Sequence, residues 1–274
     1  MDVRMVDVDG WQVRVAERAG HPDRTPLLLV NGIGAGLEAW EPLVDALDPD
    51  LGVIRFDAPG IGGSSLPALP YRFPALARRV ARLLDILGHP VVDVLGISWG
   101  GGLAQQFAFT RRSRCAKVVL VATGSGSLMV PADPRVLAKM VTPRRYVDSG
   151  YLRGVAADLY GGSARTDPDL VRRVLHTRSH TGSSRAYLYQ LLAGAGWTSV
   201  AFLPLLRQQT LVLTGDDDPI IPVLNGRLLT ALIPHARLHI YAGGHLELAA
   251  AAPSLVSTLH DFLLPERNSD VRSH

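Results

Sequence analysis

Five consecutive residues, Gly96-Ile97-Ser98-Trp99-Gly100, have the pattern G-x-S-x-G. The run just before them, Val91–Leu95, is short, mostly apolar and rich in valine, as a buried strand should be. The run just after them, Gly101–Phe107, starts with small side chains and is typical of the beginning of a helix. A strand, a sharp turn that carries serine, and a helix together present a nucleophile, with glycines where no Cβ atom fits. We therefore predict that Ser98 is a catalytic nucleophile.

A nucleophilic serine needs a base, and the base needs an acid that orients it. In doubly wound hydrolases the three residues follow one another as Ser, Asp or Glu, and His, each in a loop after a strand. Two downstream loops fit this order, because the predicted strand Thr210–Thr214 precedes an aspartate-rich loop and the predicted strand Arg237–Tyr241 precedes His245. Both loops follow the carboxyl ends of strands, where open α/β sheets place their sites. We predict that His245 is the base.

The acid has more than one candidate, since the loop reads Gly-Asp-Asp-Asp-Pro from residue 215 to residue 219. Asp218 lies deepest in the loop and is held by Pro219, which favours it as the acid. Asp217 remains the alternative.

An oxyanion that forms during acyl transfer needs backbone N–H donors. We expect one donor from Trp99, which follows the nucleophile, and another from Ile33 in the glycine-rich loop 31–36. The glycine spacing of that loop differs from a dinucleotide fingerprint, and no cofactor is expected. His176 and His180 have the spacing of a metal pair on a helix, but no Glu stands between them as in H-E-x-x-H, and no metal is expected.

Strand and helix patterns alternate in two parts of the chain, which predicts an α/β fold with a mostly parallel, doubly wound sheet. Predicted strands cover Val3–Val8, Trp11–Val15, Pro26–Val30, Val53–Phe56, Val91–Leu95, Lys117–Ala122, Thr210–Thr214 and Arg237–Tyr241. Predicted helices cover Glu38–Leu47, Pro74–Leu87, Asn225–Leu232 and Leu255–Leu264. Residues 1–122 and 200–267 would form this core, and residues 268–274 would form a polar tail.

The stretch 123–199 lacks a convincing strand, and it is predicted to be a helical cap inserted into the core. Its predicted helices cover Arg135–Val141, Tyr151–Leu159, Leu170–His176 and Arg185–Leu192.

Composition excludes several classes of protein. The 274 residues carry a formal charge of +3 without a basic cluster, which gives little support to nucleic-acid binding. Cys115 is the only cysteine, so no disulfide within the chain is possible, and we expect it to be a small buried side chain. No secretory signal and no apolar run of transmembrane length are visible, which indicates a cytoplasmic protein.

In its sequence motifs the chain resembles the intracellular depolymerases of medium-chain-length polyhydroxyalkanoates, which have the α/β-hydrolase fold. The general motifs are Asn31–Gly34, Asp57–Ser65, Gly96–Gly101 and Gly215–Pro219; the more specific ones are Pro70–Pro74, Leu103–Phe107, Pro143–Tyr146 and Gly196–Ser199. The resemblance extends to about residue 266. It implies that Ser98, Asp218 and His245 are nucleophile, acid and base. It also implies a polyester of 3-hydroxy fatty acids as substrate, met at the surface of an intracellular granule.

An aromatic cap suits such a substrate, because aromatic rings contact alkyl chains and hydroxyl groups can bind esters. Tyr146, Tyr189 and Trp197 are therefore candidate substrate-binding residues, although the same side chains could simply pack the cap helices. Two other functions stay open. The same residues would serve an enzyme that acts on a small ester, lactone, thioester or carbon–carbon bond, and a binding protein could use this scaffold without turnover.

Overall fold

The structure is a computed structural model that describes residues 2–142, 144, 148–167, 170, 174 and 183–264. Among these residues, eight strands form one sheet. The strands are β1 Asp2–Val8, β2 Trp11–Arg18, β3 Leu27–Val30, β4 Val53–Phe56, β5 Val92–Ile97, β6 Cys115–Val121, β7 Gln209–Gly215 and β8 Ala236–Tyr241. All predicted strands are present, with ends that differ from prediction by a few residues.

The strand order is β1-β2-β4-β3-β5-β6-β7-β8. The hairpin β1–β2 and the pair β2–β4 are antiparallel, and the other five pairs are parallel. From β3 the chain continues to β4, which lies on one side of β3 in the sheet. From β5 it continues to β6, which lies in the opposite direction along the sheet. Loops that diverge in this way open a crevice at the carboxyl ends of the strands, where α/β proteins bind ligands. The loops that carry Ile33 and Ser98 flank this crevice.

Helices cover both faces of the sheet. They are α1 Glu41–Ala46, α2 Phe73–Leu87, α3 Trp99–Thr110, α4 Pro134–Val141, α5 Ser149–Tyr160, α6 Ser184–Gly194, α7 Val223–Leu232 and α8 Pro253–Leu263. Adjacent residues of β3 pack into different apolar cores on the two faces of the sheet, because side chains point alternately to either face of a strand. Leu27 and Leu29 pack with α1, α5 and α8, while Leu28 and Val30 pack with α2, α3 and α7. These features confirm the predicted α/β class and the doubly wound sheet.

One predicted helix, Glu38–Leu47, is wrong as a single element. The structure has a 3₁₀ turn at Leu37–Trp40, and α1 begins only at Glu41. Pro42 explains the break, because proline lacks the N–H that a continuous helix needs and is favoured in the first turn of a new one.

The described residues between β6 and β7 contain α4, α5, a 3₁₀ turn at Gly162–Arg165 and α6, with one isolated bridge between Gly126 and Thr198. We call residues 123–199 the cap, and its boundaries as a separate domain stay a prediction. The predicted helix Leu170–His176 lies largely outside the described residues, and the predicted tail lies wholly outside them. In the part of the chain that the structure describes, no helix is both long and apolar enough to cross a membrane.

Two buried polar groups support the loops of the site. Asp57, at the end of β4, accepts hydrogen bonds from Leu37 N (2.7 Å) and Gly63 N (2.8 Å), and so ties the loop after β3 to the loop after β4. Asn31 Nδ2 donates to Gly36 O at 2.7 Å and closes the loop after β3 on itself. Cys115 is buried as expected, and burial raises the pKa of its thiol.

Candidate active site

Ser98 lies at the junction of β5 and α3, with φ +54° and ψ −118°. A positive φ is costly for a residue with a Cβ atom and persists only where its surroundings enforce it. Here the backbone is held on both sides, since Ser98 N donates to Val121 O (2.9 Å) and Ser98 O accepts from Thr123 Oγ1 (2.7 Å). The predicted strained turn is confirmed. Ser98 is partly exposed at the carboxyl end of the central strand β5.

The glycines that flank the serine are required by close backbone contacts. A Cβ atom on Gly96 would lie 2.3 Å from Gly100 O, and one on Gly100 would lie 2.3 Å from Val30 O. Both distances are far below van der Waals contact. β5, α3 and the end of β3 can therefore approach this closely only with glycine at these positions, as the motif predicted.

His245 and Asp218 form a buried pair. His245 Nδ1 lies 2.8 Å from Asp218 Oδ2, and both side chains are almost fully inaccessible to solvent. Asp218 Oδ1 accepts from Ile220 N (2.9 Å) and Ile221 N (3.0 Å), which fixes the carboxylate. A carboxylate held in this way orients the imidazole with Nδ1–H toward the acid, which leaves Nε2 available as a base.

Asp217, the alternative acid, points elsewhere. Its carboxylate accepts from Arg165 Nε (2.7 Å) and from Arg165 Nη2 (2.9 Å). Hydrogen bonding to Arg165 lowers the pKa of Asp217. The structure therefore brings Asp218, and not Asp217, against His245.

The loop after β3 reaches the nucleophile. A Cβ atom on Gly32 would lie only 3.6 Å from Ser98 Cβ, and Ile33 lines the same cavity as Ser98. The amide of Trp99 follows the nucleophile at the start of α3. These positions are those expected of two oxyanion donors, and the assignment of Ile33 and Trp99 to that role stays a prediction.

Gln190, on helix α6, is a supporting residue that the sequence motifs did not indicate. Its Oε1 accepts from Gly34 N at 2.7 Å, and its backbone O accepts from Trp99 Nε1 at 2.7 Å. One buried cap residue therefore holds both elements that carry the predicted oxyanion donors. A glutamine on a helix has no sequence signature for such a role.

Ser98 and His245 line a cavity that opens to solvent. The polar part of its wall is small, and most of the wall is apolar: Ile33, Ala35, Ala39, Ile97, Met140, Tyr160, Val174, Ile220, Leu246 and Ala249. Such a lining favours an alkyl chain next to the serine.

The role of the cap aromatics in substrate binding stays a prediction. Tyr189 and Trp197 are not among the residues that line this cavity. Tyr189 is buried and its hydroxyl donates to Ala68 O at 3.0 Å, whereas Trp197 packs edge-on against Phe73 with ring centroids 4.9 Å apart. Both side chains therefore pack between the cap and the core, and their predicted contact with substrate stays untested. Tyr146 lies outside the described residues.

Tyr160 was not predicted as a site residue, but it lines the cavity, and its ring centroid is 6.3 Å from that of His245. Among the described residues, no cluster of His, Cys, Asp or Glu could hold a metal ion. His176 and His180 lie outside them.

Comparison with known proteins agrees with the fold. Residues 25–248 match the family model for the alpha/beta hydrolase fold. The chain is 50% identical over 268 residues to a poly(3-hydroxyalkanoate) depolymerase of Ectopseudomonas oleovorans, which covers 98% of this chain and 94% of that protein. It is 28% identical to 3-oxoadipate enol-lactonase 2 of Acinetobacter baylyi, over 83% of this chain and 84% of that protein.

Among solved structures, a hydrolase from Pseudomonas aeruginosa PA01 superposes with a TM-score of 0.78 at 26% identity, over 96% of this chain and 98% of that one. The resemblance to polyhydroxyalkanoate depolymerases that the sequence motifs indicated is confirmed by the depolymerase match. The chain belongs to the α/β-hydrolase family.

Proposed function

We propose that this protein hydrolyses the ester bonds of a medium-chain-length poly(3-hydroxyalkanoate) through an acyl-enzyme on Ser98. The observation that carries the proposal is the apolar cavity that Ser98 and His245 line together, with Asp218 held against His245. The 50% identity to a poly(3-hydroxyalkanoate) depolymerase over nearly the whole chain names the substrate class.

The first half of the reaction forms the acyl-enzyme. His245 Nε2 takes the proton of Ser98 Oγ as the oxygen attacks an ester carbonyl, and the carbonyl oxygen becomes an oxyanion. The amides of Ile33 and Trp99 stabilise that charge. The tetrahedral intermediate then collapses, the ester C–O bond breaks, and His245 gives its proton to the departing 3-hydroxyl group of the next unit. Asp218 orients His245 throughout and stabilises the imidazolium while it exists.

The second half releases the product. His245 takes a proton from water, the resulting hydroxide attacks the acyl carbonyl, and the bond to Ser98 Oγ breaks. The serine recovers its proton from His245, and a 3-hydroxyalkanoate leaves. The alkyl side chain of the unit lies against the cavity wall, since most of that wall is apolar. Because the polymer is insoluble in water, the enzyme works at a granule surface inside the cell.

A second function has its own support, because the relationship to an enol-lactonase fits an enzyme that acts on a small ester or lactone. The two are separated by measuring hydroxy-acid release from amorphous medium-chain polymer beside hydrolysis of p-nitrophenyl octanoate, with wild type and Ser98→Ala. We expect the wild type to release hydroxy acid from the polymer and to hydrolyse p-nitrophenyl octanoate. We expect Ser98→Ala to do neither. Turnover of the small ester without release from polymer would overturn the depolymerase proposal and favour the second function.

A further inference from the structure

One segment of the cap, residues 160–165, contacts both loops that carry the predicted acid and base. The backbone N of His245 donates to Tyr160 O at 2.7 Å. The backbone N of Gly162 donates to Asp217 Oδ2, also at 2.7 Å, next to the predicted acid Asp218. The cap therefore contacts the base loop through the backbone O of Tyr160 and the acid loop through the backbone N of Gly162.

Glu247, two residues after His245, completes this junction. Its side chain is buried, with the residue 7% exposed. Its Oε1 accepts from Ser163 N (2.7 Å) and Gly244 N (3.1 Å), and its Oε2 accepts from Ser163 Oγ (2.8 Å). Burial of a carboxylate is costly unless donors surround it, and these three donors come from the cap and from the base loop together.

The backbones at this junction are packed as closely as glycine permits. A Cβ atom on Gly244 would lie 2.0 Å from Tyr160 O, and one on Gly162 would lie 2.1 Å from Gly244 N. The distance between the cap segment and the base loop is therefore set by backbone contact, and Glu247 bonds across that contact. Loss of its carboxylate would take the acceptor from the N–H of Gly244, a buried residue, and from the N–H of Ser163 in the cap segment.

We propose that Glu247 is a positioning residue: it fastens cap segment 160–165 to the loop of His245 and so keeps the imidazole aligned with Ser98. The inference rests on the proposed role of His245 as the base. Because Glu247 acts on alignment and lies outside the cavity lining, its loss should lower kcat and leave KM nearly unchanged.

Steady-state kinetics on p-nitrophenyl octanoate test the proposal with three variants. Glu247→Ala is expected to lower kcat about 10- to 100-fold, the range expected for a small misplacement of a catalytic group. Glu247→Gln should restore most of the rate, because its Oε1 can accept from Ser163 N and Gly244 N while its amide donates to Ser163 Oγ. Arg72→Ala is the matched control, since Arg72 Nη1 donates to Leu192 O at another contact between cap and core (2.8 Å), and its kcat should stay near that of the wild type.

A kcat for Glu247→Ala within about twofold of wild type, or an equal loss in Arg72→Ala, would overturn the proposal. Ser163→Ala approaches the junction from the cap side and should give a smaller loss of kcat in the same direction, which keeps the test valid if Glu247→Ala fails to fold. Circular dichroism checks the fold of each variant. The assay uses a small ester, so a wild type that cleaves this ester but not polymer would refute the depolymerase proposal without affecting the comparison at Glu247.

Discussion

Asp216, Asp217 and Asp218 are neighbours in the chain, yet each carboxylate has a different partner. Asp216 Oδ1 accepts from Gly243 N at 2.9 Å, Asp217 binds Arg165 of the cap, and Asp218 contacts His245. Only Asp218 is withdrawn from water, with no exposed side-chain surface. At the scale of single residues, burial and partner therefore decide which of three identical side chains can orient a base.

This difference predicts opposite outcomes for two neighbouring substitutions. Asp218→Ala should lower kcat/KM by about 10,000-fold, because the imidazole loses the group that fixes its tautomer. Asp217→Ala should lower it less than about tenfold, since a largely exposed ion pair contributes about 1 kcal/mol or less. Kinetics on p-nitrophenyl octanoate with both variants, folded by circular dichroism, provide the check. A larger loss in Asp217→Ala than in Asp218→Ala would refute the assignment of the acid.

The pairing of β5 with β6 contains a register shift between Val92 and Val94, and Asp93 lies at that shift. Its Oδ1 accepts from Lys117 N on β6 at 2.9 Å, so the side chain replaces a ladder contact that the irregularity removes. Burial raises the pKa of Asp93 from 3.8 to about 6, although the charge of Lys117 opposes the shift. The two adjacent strands β5 and β6 are thus joined by a carboxyl group that binds its proton more tightly than an exposed aspartate does.

The raised pKa makes stability depend on pH in a definite direction. Between about pH 4 and pH 6 the unfolded chain releases this proton while the folded protein keeps it, so the contribution of Asp93 to stability falls as pH rises and is constant above that window. Asp93→Asn keeps an acceptor for Lys117 N but cannot ionise. Its free energy of unfolding, relative to wild type, should therefore increase by about 1 to 3 kcal/mol across the window.

Urea unfolding of both proteins at about pH 4 and about pH 7 measures that difference. Parallel changes of stability in the two proteins would show that Asp93 titrates in the folded protein as it does in the unfolded chain.

At the scale of the whole molecule, the features that could be predicted are those written in short stretches of sequence. Strands such as Leu27–Val30 are marked by their apolar runs, and the end of α2 is marked by Gly88, which has a φ of +80°. The pattern around Ser98 and the order Ser, Asp, His are likewise local signals placed after strands. The sheet aligns the carboxyl ends of those strands, so it brings the predicted residues to one edge without further information.

The contacts that depend on the cap could not be predicted. Gln190 bonds to Gly34 across 156 residues of sequence, and Glu247 bonds to Ser163 across 84. Nothing in the composition of a cap helix indicates which of its polar side chains will face a loop so distant in the chain. For the same reason the packing contacts of Tyr189 and Trp197 could not be predicted, since they depend on how α6 and the loop after it lie against the core.

In the reaction that we propose, an ester in the apolar cavity acylates Ser98. The most direct test is to mix the enzyme with amorphous medium-chain polymer, quench with acid, and analyse the peptide that contains Ser98 by mass spectrometry. We expect that peptide to carry a 3-hydroxyacyl group in the wild type, and we expect Ser98→Ala to form no adduct and release no hydroxy acid. Undiminished release of hydroxy acid by Ser98→Ala would contradict the acyl-enzyme mechanism.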